Sequence, residues 1–384
     1  MNNARYGLWI GLLLAPLLTS AAPPTAVPSG IEHFSDQASL LRKLHAIGYA
    51  HKGGIARSMT DHDDARFKSF PHFTSSFTYK GIIYPFTMVG HPPASGLTTH
   101  VRTRIIPLRL TFTGFGGPDV IFDPETAVAN IVASPMFNDA VFRDGVGQFG
   151  DQMQRAAFWN QMDPNHRWHV LLDTPRVMPT LDVQVTPDVG SLVTAPDGTP
   201  LGFVADGALD PVIQVALELT NPEPDELPIF VTYNTSENFA LGYHNAYPVA
   251  IEDGTTIFQT YIYTSWFDLS AVGPELSDVS TINHEIGEFL NDPYINNQVP
   301  EWNFPDIKVC GDNPFLEVGD PQGNGPNFAS FPTVVIPLNG FEYHLQDLVL
   351  YEWFTGQKPS KALHGWYDFP ATNQIFSPFT PCSK

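Results

Sequence analysis

The chain has 384 residues, of which 43% are hydrophobic and only 15% are charged. This composition is sufficient for a packed core, so it excludes a disordered or low-complexity protein and indicates one large domain or two. The net charge is −21, and no basic cluster is long enough to follow a phosphate backbone. Nucleic acids and anionic membrane surfaces are therefore poor partners for this chain.

The N-terminus has the pattern of a secretory signal peptide. Arg5 precedes an apolar run from Leu8 to Leu18, and small residues follow as far as Ala22. The run is too short to cross a bilayer, and no later segment reaches about 20 uninterrupted apolar residues. We expect residues 1–22 to be removed, which leaves a secreted or periplasmic protein without a membrane anchor.

The next segment, residues 23–68, is predicted to be a leader or loop segment. It begins with a proline-rich stretch, Ser35 can cap a short helix, and a basic loop extends from His51 to Lys68. Residues 69–384 are predicted to form a single α+β domain. Strand and helix patterns are interspersed in this region, and no linker poor in apolar residues divides it.

The elements of this domain follow from hydrophobic periodicity. Residues 75–90 and 98–114 are rich in Thr, Ile, Val and aromatic residues, which predicts a hairpin-like pair of strands. Helical apolar spacing follows at 123–137 and 150–162. Alternating patterns then predict three further strand segments, at residues 180–190, 227–235 and 256–269.

A helix is predicted from Leu276 to Asp292. At about 100° per residue its apolar residues fall on one side, namely Val279, Ile282, Ile286, Phe289 and Leu290. A polar strip lies on the opposite side, formed by His284, Glu288, Asn291 and Asp292. Ser277 or Ser280 can cap the start of this helix, and Pro293 ends it.

The polar strip has the spacing of a metal site. A His and a carboxylate four residues apart can bind one ion, and Glu285, about 100° round the helix, can hold a metal-bound water as a catalytic base. The alternative is an exposed acidic helix face with a solvated His284. A third ligand can come from Glu317 or Asp320, which lie in a segment too rich in Gly, Pro and Asp to be helical.

Further residues enter the prediction in other roles. Asp292 or Asp320 can orient the metal ligands by hydrogen bonds without binding the ion itself. His244 can be a ligand, a substrate contact or a hydrogen-bonded strand histidine. Cys310 and Cys382 are the chain's two cysteines, and in an exported protein we expect them to form a disulfide that restrains the segment carrying Glu317; the alternative is two free thiols.

The segment NHEIGEFLNDP and the later LEVGD resemble a motif pair, H-E-x-x-E-x-x-x-D-P with E-(I/V)-G-D, of zincin-like secreted proteins. These proteins are mostly bacterial, largely uncharacterised and metallopeptidase-like. Further segments resemble that group in the same order, so the resemblance covers nearly the whole mature chain. It implies a zincin-like core, with a mixed β-sheet and an active-site helix around His284–Asp292. It also implies that His284, Glu288 and Glu317 bind a metal and that Glu285 is the base.

Zinc is the favoured ion because a His ligand argues against calcium, which takes about six to eight oxygen ligands. Calcium or another divalent ion remains an alternative, and the oxygens available to it belong to Asp292, Asp312, Glu317, Asp320 and Asn324. The first functional hypothesis is an exported metal-dependent hydrolase, favoured as a peptidase acting on a peptide or protein. The second is a non-catalytic secreted or cell-surface binding protein that retains a zincin-like fold.

The sequence Asn-Thr-Ser at Asn234 matches an N-glycosylation acceptor. It would act as one only in a eukaryotic secretory route. The alternative is a plain turn.

Overall fold

The computed structural model describes residues 32–33, 69–143, 145–237, 240–250, 256–302, 315–323, 332–362 and 365–369. The predicted signal peptide, the helix capped by Ser35, the loop from His51 to Lys68 and both cysteines lie outside these ranges. The disulfide between Cys310 and Cys382 therefore stays a prediction. None of the described helices is long and apolar enough to cross a membrane.

The described residues form a mixed α+β structure with these strands in chain order: β1 (Glu32–His33), β2 (His72–Tyr79), β3 (Ile82–Val89), β4 (Thr98–Phe112), β5 (Val120–Phe122), β6 (Ala140–Phe142), β7 (Gly145–Gly147), β8 (His169–Leu172), β9 (Arg176–Val177), β10 (Leu181–Val185), β11 (Gly190–Thr194), β12 (Pro200–Val204), β13 (Glu226–Tyr233), β14 (Thr235–Glu237), β15 (Tyr243–Ala250), β16 (Thr256–Trp266), β17 (Thr333–Leu338), β18 (Phe341–Gln346), β19 (Leu348–Val349) and β20 (Asp368–Phe369).

The helices lie between these strands. In chain order they are α1 (Glu125–Val132), α2 (Phe149–Ala157), α3 (Asp210–Thr220), α4 (Leu269–Val272), α5 (Ser280–Asn291), α6 (Asp320–Gly323) and α7 (Tyr351–Phe354), with a 3₁₀ turn at Pro93–Ser95. The predicted helices at 123–137 and 150–162 correspond to α1 and α2, each shorter than predicted. The segment that carries Asp320 was predicted to be non-helical, but one short helix, α6, begins there.

The largest sheet has the strand order β10-β4-β13-β16-β15. Strands β10, β4, β13 and β16 pair in parallel, whereas β15 pairs antiparallel with β16 at the end of this order. The long strand β4 also pairs with β5, β8 and β9 along other parts of its length. The sheet is therefore mixed, as predicted, and β15 is an edge strand among the residues that the structure describes.

The other pairings are smaller. A four-stranded sheet has the order β1-β11-β12-β14, and four two-stranded units are β2-β3, β6-β7, β17-β18 and β19-β20. The predicted pairing of segments 75–90 and 98–114 is wrong. The hairpin β2-β3 covers residues 72–89, so it includes most of the first segment, and it reverses at Lys80 and Gly81, both at positive φ. Strand β4 joins the large sheet instead, because its fifteen residues pair with several other strands.

Alternate residues of β13 pack into two different cores. Leu227, Ile229 and Val231 lie in one core, and Phe230 lies in the other. The first core contains the apolar residues of α5, namely Ile282, Ile286, Phe289 and Leu290. The second contains those of α3, namely Val212, Ile213, Ala216 and Leu217. Helices thus cover both faces of the parallel strands, as parallel sheets require, and α5 lies directly against the sheet.

Helix α5 is buried on every side. The predicted apolar side is confirmed, but every other residue of the helix except His284 is buried as well. Strands β3, β15, β16 and β18 and helix α2 pack around it. The alternative interpretation, an exposed acidic helix face, is therefore wrong.

The start of α5 differs from the prediction. Neither Ser277 nor Ser280 makes a capping hydrogen bond, and the helix begins at Ser280 rather than Leu276. The N–H of Val279 instead donates to Oδ1 of Asp278 (2.6 Å). A carboxylate at this end of a helix satisfies a free backbone donor and interacts favourably with the helix dipole. The helix ends at Asn291, two residues before Pro293, in agreement with the predicted end.

Asn234 forms a buried bend between β13 and β14. Its side-chain Nδ2 donates to Oδ2 of Asp268 (2.8 Å), and its Oδ1 accepts from the N–H of Asp268 (2.8 Å). Only 2% of the residue is exposed, and its φ is 48°. The plain-turn interpretation of Asn-Thr-Ser therefore fits the structure, because the amide nitrogen of Asn234 is already engaged.

Candidate metal centre

Helix α5 brings His284 and Glu288 together, one helical turn apart. Nε2 of His284 lies 3.0 Å from Oε1 of Glu288. Asp320, the first residue of α6, places its Oδ1 3.6 Å from the same nitrogen. Each of these three residues offers one ligand atom, and the three atoms lie within 4.8 Å of one another, close enough to bind the same metal ion. We refer to them as the His284 group.

A second group lies beside the first. His244, near the start of edge strand β15, places Nδ1 3.6 Å from Oε2 of Glu285 and 3.5 Å from Oε2 of Glu288. These three residues again offer one ligand atom each at metal-binding separation. We refer to them as the His244 group. The two groups share Glu288 and no other residue.

Both imidazoles are held by a hydrogen bond on the nitrogen that faces away from the carboxylates. Nδ1 of His284 lies 2.8 Å from Oε1 of Gln346. The amide nitrogen of Gln346 donates to the carbonyl of Gly319 (2.5 Å), so Oε1 is the acceptor and His284 donates to it through Nδ1. Nε2 of His284 is then the nitrogen that faces Glu288 and Asp320. Metal-binding histidines are commonly oriented in this way.

His244 shows the same arrangement with its nitrogens exchanged. Its Nε2 lies 3.1 Å from the backbone carbonyl of Asp292, to which it donates. Nδ1 therefore faces Glu285 and Glu288. Of the three predicted roles for His244, the strand histidine with a hydrogen bond is present, and the same hydrogen bond also prepares Nδ1 to bind a cation.

Strand β18 fixes the position of Gln346 against α5. The N–H of Gln346 donates to Oδ1 of Asn283 (2.8 Å), and Nδ2 of Asn283 donates to the carbonyl of Gln346 (2.9 Å). The N–H of Gly319 donates to Oε1 of Glu288 (3.2 Å). The side chains of His284 and Glu288 are thus held in place by hydrogen bonds that lead to β18 and to the segment before α6.

Burial and neighbouring charges shift the pKa values of this centre in opposite directions. Burial lowers the pKa of His244 and of His284, but the neighbouring carboxylates outweigh it and hold both pKa values well above the ordinary value. Burial alone would raise the pKa of Glu288, but the two neighbouring histidines have a larger opposite effect, and the net result is a lowered pKa. Burial also raises the pKa of Glu285, and here the histidines do not reverse the effect, so the pKa stays above the ordinary value. The centre therefore favours cations between its imidazoles and carboxylates.

Asp292 and Glu317 lie beside these groups. Oδ1 of Asp292 accepts from the backbone N–H groups of Asn296 (2.9 Å) and Asn297 (3.1 Å), and burial raises its pKa to about 6. Asp292 thus orients His244 through its carbonyl and not through its carboxylate. Glu317 is 1% exposed, and its charge raises the pKa of His244. It belongs to neither three-residue group, so its predicted role as a ligand stays a prediction.

The spacing of the donor atoms suits a metal ion. Ligand atoms about 2.1 Å from a tetrahedral ion lie roughly 3.4 Å from one another. The pairs described above lie between 3.0 and 3.6 Å apart. Imidazole nitrogens with carboxylate oxygens suit zinc and neighbouring transition ions better than calcium. The residues therefore fit the predicted divalent ion, and Asp320, predicted to orient the ligands or to be an alternative ligand, offers its carboxylate together with His284 and Glu288.

Two functional residues are missing from the sequence analysis. Gln346 orients His284 from 62 positions further along the chain, and no local pattern marks it. Gly319 lies within the Glu-Val-Gly-Asp motif between Glu317 and Asp320. A glycine between two candidate ligands is a signal of close backbone approach that could have been used.

The chain matches no protein-family model, no curated protein and no solved structure.

Proposed function

We propose that this protein is an exported metal-dependent hydrolase that cleaves peptide bonds, built on a zincin-like core. One observation carries the proposal. Helix α5 holds a His284–Glu288 pair and Glu285 in one buried centre beside the edge strand β15. The predicted signal peptide, residues 1–22, supports export.

In this proposal His284, Glu288 and Asp320 hold a zinc ion. Asp320 takes the third position because its Oδ1 is 3.6 Å from Nε2 of His284. Glu317 is the other candidate for that position and lies in the same segment. A divalent ion bound here supplies Lewis acidity, which lowers the pKa of a bound water and polarises a substrate carbonyl.

Glu285 is the proposed proton acceptor. It is 4% exposed, and burial raises its pKa above the ordinary value. A carboxylate with a raised pKa is better matched to proton transfer near neutral pH. Its Oε2 lies 3.6 Å from Nδ1 of His244, which lies 3.5 Å from the proposed zinc ligand Glu288.

Strand β15 supports a peptide as the substrate. Among the described residues this strand pairs with β16 alone, so within that part of the chain it is the edge strand of the sheet. An extended peptide can add to such an edge through main-chain hydrogen bonds. His244 belongs to β15, so a peptide paired with this strand would lie next to the centre.

The burial of the centre favours a second candidate, a non-catalytic secreted or cell-surface binding protein with a structural metal. The side chain of His284 is 15% exposed, and those of Glu288 and Asp320 are 5% and 6% exposed. A closed, fully coordinated ion would suit this function, whereas a catalytic ion needs an open position.

The test begins with the metal content of the secreted protein, purified without added metal. We expect a stoichiometric transition ion that is lost in His284→Ala, together with chelator-sensitive cleavage of a mixture of unstructured peptides. His169→Ala is the matched control, because Nδ1 of His169 pairs with one carboxylate oxygen of Asp151 (2.9 Å) and belongs to neither group.

Three outcomes separate the candidates. Metal with peptide cleavage supports the hydrolase. Metal without cleavage, in protein that remains folded, supports the structural alternative. Folded protein that holds no metal, and binds none when zinc is added, contradicts both.

A further inference from the structure

We propose that the centre holds two divalent cations bridged by the carboxylate of Glu288. This inference rests on the proposed function for its first ion, in the His284 group, and adds a second ion in the His244 group.

The two oxygens of Glu288 face different histidines. Oε1 lies 3.0 Å from Nε2 of His284, and Oε2 lies 3.5 Å from Nδ1 of His244. A carboxylate between two ions binds one with each oxygen, and in two-metal hydrolases the ions lie about 3.5–4 Å apart. Glu288 is thus placed as a bridge rather than as a ligand of one ion.

Each half of the centre has its own additional ligands. The first ion has His284 and Asp320, and the second has His244 and Glu285. Each half combines one imidazole with carboxylate oxygens. Neither half depends on a residue that the other half uses, apart from the bridging Glu288.

The two imidazoles are oriented as matching ligands. His284 donates through Nδ1 to Gln346, and His244 donates through Nε2 to the carbonyl of Asp292. The remaining nitrogen of each ring faces carboxylate oxygens. A proton on that nitrogen or a bound divalent cation can lie between it and the carboxylates, and a cation bound there takes the place of the proton.

Glu285 provides an independent observation that points to a cation. Its Oε2 is buried and has no hydrogen-bond partner among the described residues. Nδ1 of His244 is 3.6 Å from this atom, which is too far for a normal hydrogen bond. A buried carboxylate oxygen without a partner is costly. An ion between Glu285 and His244 would satisfy it.

The charge of the centre agrees with two ions. The carboxylates of Glu285, Glu288, Glu317 and Asp320 are all buried around the two imidazoles. Two divalent cations carry as much positive charge as four ionised carboxylates carry negative charge. Uncompensated charge at this depth is strongly unfavourable.

The alternative is a single ion with a protonated His244, which would place a proton where the second ion is proposed.

The number of bound ions distinguishes the two possibilities. The metal-free protein is titrated with Mn²⁺, and bound ions are counted by elemental analysis after removal of free metal. We expect two per wild-type chain, and one per chain for His244→Ala and for Glu285→Gln. His169→Ala should keep two.

Electron paramagnetic resonance of the Mn²⁺-loaded wild-type protein gives a second measurement that needs no variant to fold. Two Mn²⁺ ions that share a carboxylate should show an exchange-coupled spectrum. One bound ion with an uncoupled spectrum would overturn this inference and leave the proposed function standing. No bound ion in folded protein would overturn both.

A Glu285→Gln variant also separates the two roles of this residue. If Glu285 only accepts a proton, the variant keeps the wild-type number of ions and loses activity alone. If Oε2 of Glu285 binds the second ion, the count falls from two to one. A count of two in this variant and in His244→Ala would therefore contradict the assignment of the second site.

Discussion

Gly319 lies against the ring of His284 so closely that a Cβ atom on Gly319 would come within 2.4 Å of Nδ1. The same residue donates its N–H to Glu288 and accepts a hydrogen bond from Gln346 through its carbonyl. Gly319 thus contacts one ligand by its Cα face, a second ligand by its N–H, and the residue that orients His284. Only glycine allows this approach, which explains the glycine of the Glu-Val-Gly-Asp motif.

Gly319→Ala should weaken metal binding while the protein stays folded. The added Cβ must displace the His284 ring or the backbone before α6, and disturbance of groups that orient metal ligands typically costs roughly 10- to 100-fold in affinity. A competition titration with a chromogenic chelator measures the change. Gly117→Ala is the control, since a Cβ there meets nothing within 4 Å. Equal affinities for the two variants would show that Gly319 does not position His284.

Glu285→Gln should reduce peptide hydrolysis by about 10²-fold or more, because it removes the proton acceptor but keeps the size of the side chain. The ion of the His284 group should remain, since Glu285 is not among its ligands. Initial rates and metal content are measured on the same preparation. Glu218→Gln, at an exposed position of α3, is the control and should change neither quantity. Undiminished hydrolysis by Glu285→Gln would exclude Glu285 as the base.

Glu288→Gln should abolish stoichiometric metal binding, because an amide replaces the carboxylate that both groups share. Glu288→His should retain an ion and shift the alkaline limit of hydrolysis to lower pH. A neutral ligand in place of an anionic one leaves more positive charge on the ion and acidifies its water. The measurements are metal content and a pH–rate profile, with circular dichroism to monitor folding. Unfolding of the His variant, together with undiminished hydrolysis by Glu285→Gln, would instead mean that α5 is purely structural.

Glu352 should make the protein less stable as the pH rises. It is 3% exposed, its Oε2 has no hydrogen-bond partner among the described residues, and burial raises its pKa from 4.5 to about 8. The unfolded chain therefore releases this proton at a lower pH than the folded chain does. Glu352 contributes no penalty below pH 4.5, an increasing penalty up to about pH 8, and a constant penalty above it.

Glu352→Gln should accordingly match the wild type near pH 4 and exceed it in free energy of unfolding near pH 9. The difference is at most about 5 kcal/mol, at about 1.4 kcal/mol per pKa unit. Denaturant unfolding at both pH values measures it, and Glu218→Gln should show no such pH-dependent difference. A difference that does not vary with pH would mean that Glu352 ionises at its ordinary pKa.

The relation between His284, Glu285 and Glu288 could be predicted from the sequence alone. All three residues lie on one helix, and the 3.6-residue period fixes which side chains share a face. The same reasoning predicted the apolar side of α5 through Ile282 and Phe289. Strands β13 and β16 were also predicted, because their β-branched and aromatic residues follow a local pattern.

The surroundings of α5 were decided by the tertiary structure. His244 reaches the centre because β15 pairs with β16, and Gln346 reaches it because β18 packs on the helix. Such pairings depend on contacts between distant segments, and no local period encodes them. The burial of Glu288 also depends on the tertiary structure. From the sequence its side of α5 is a polar surface, and only the packing of other elements against it makes it buried. Periodicity in the sequence determines which side of its own helix or strand a residue occupies. Which helices and strands come into contact depends on the packing of the whole core.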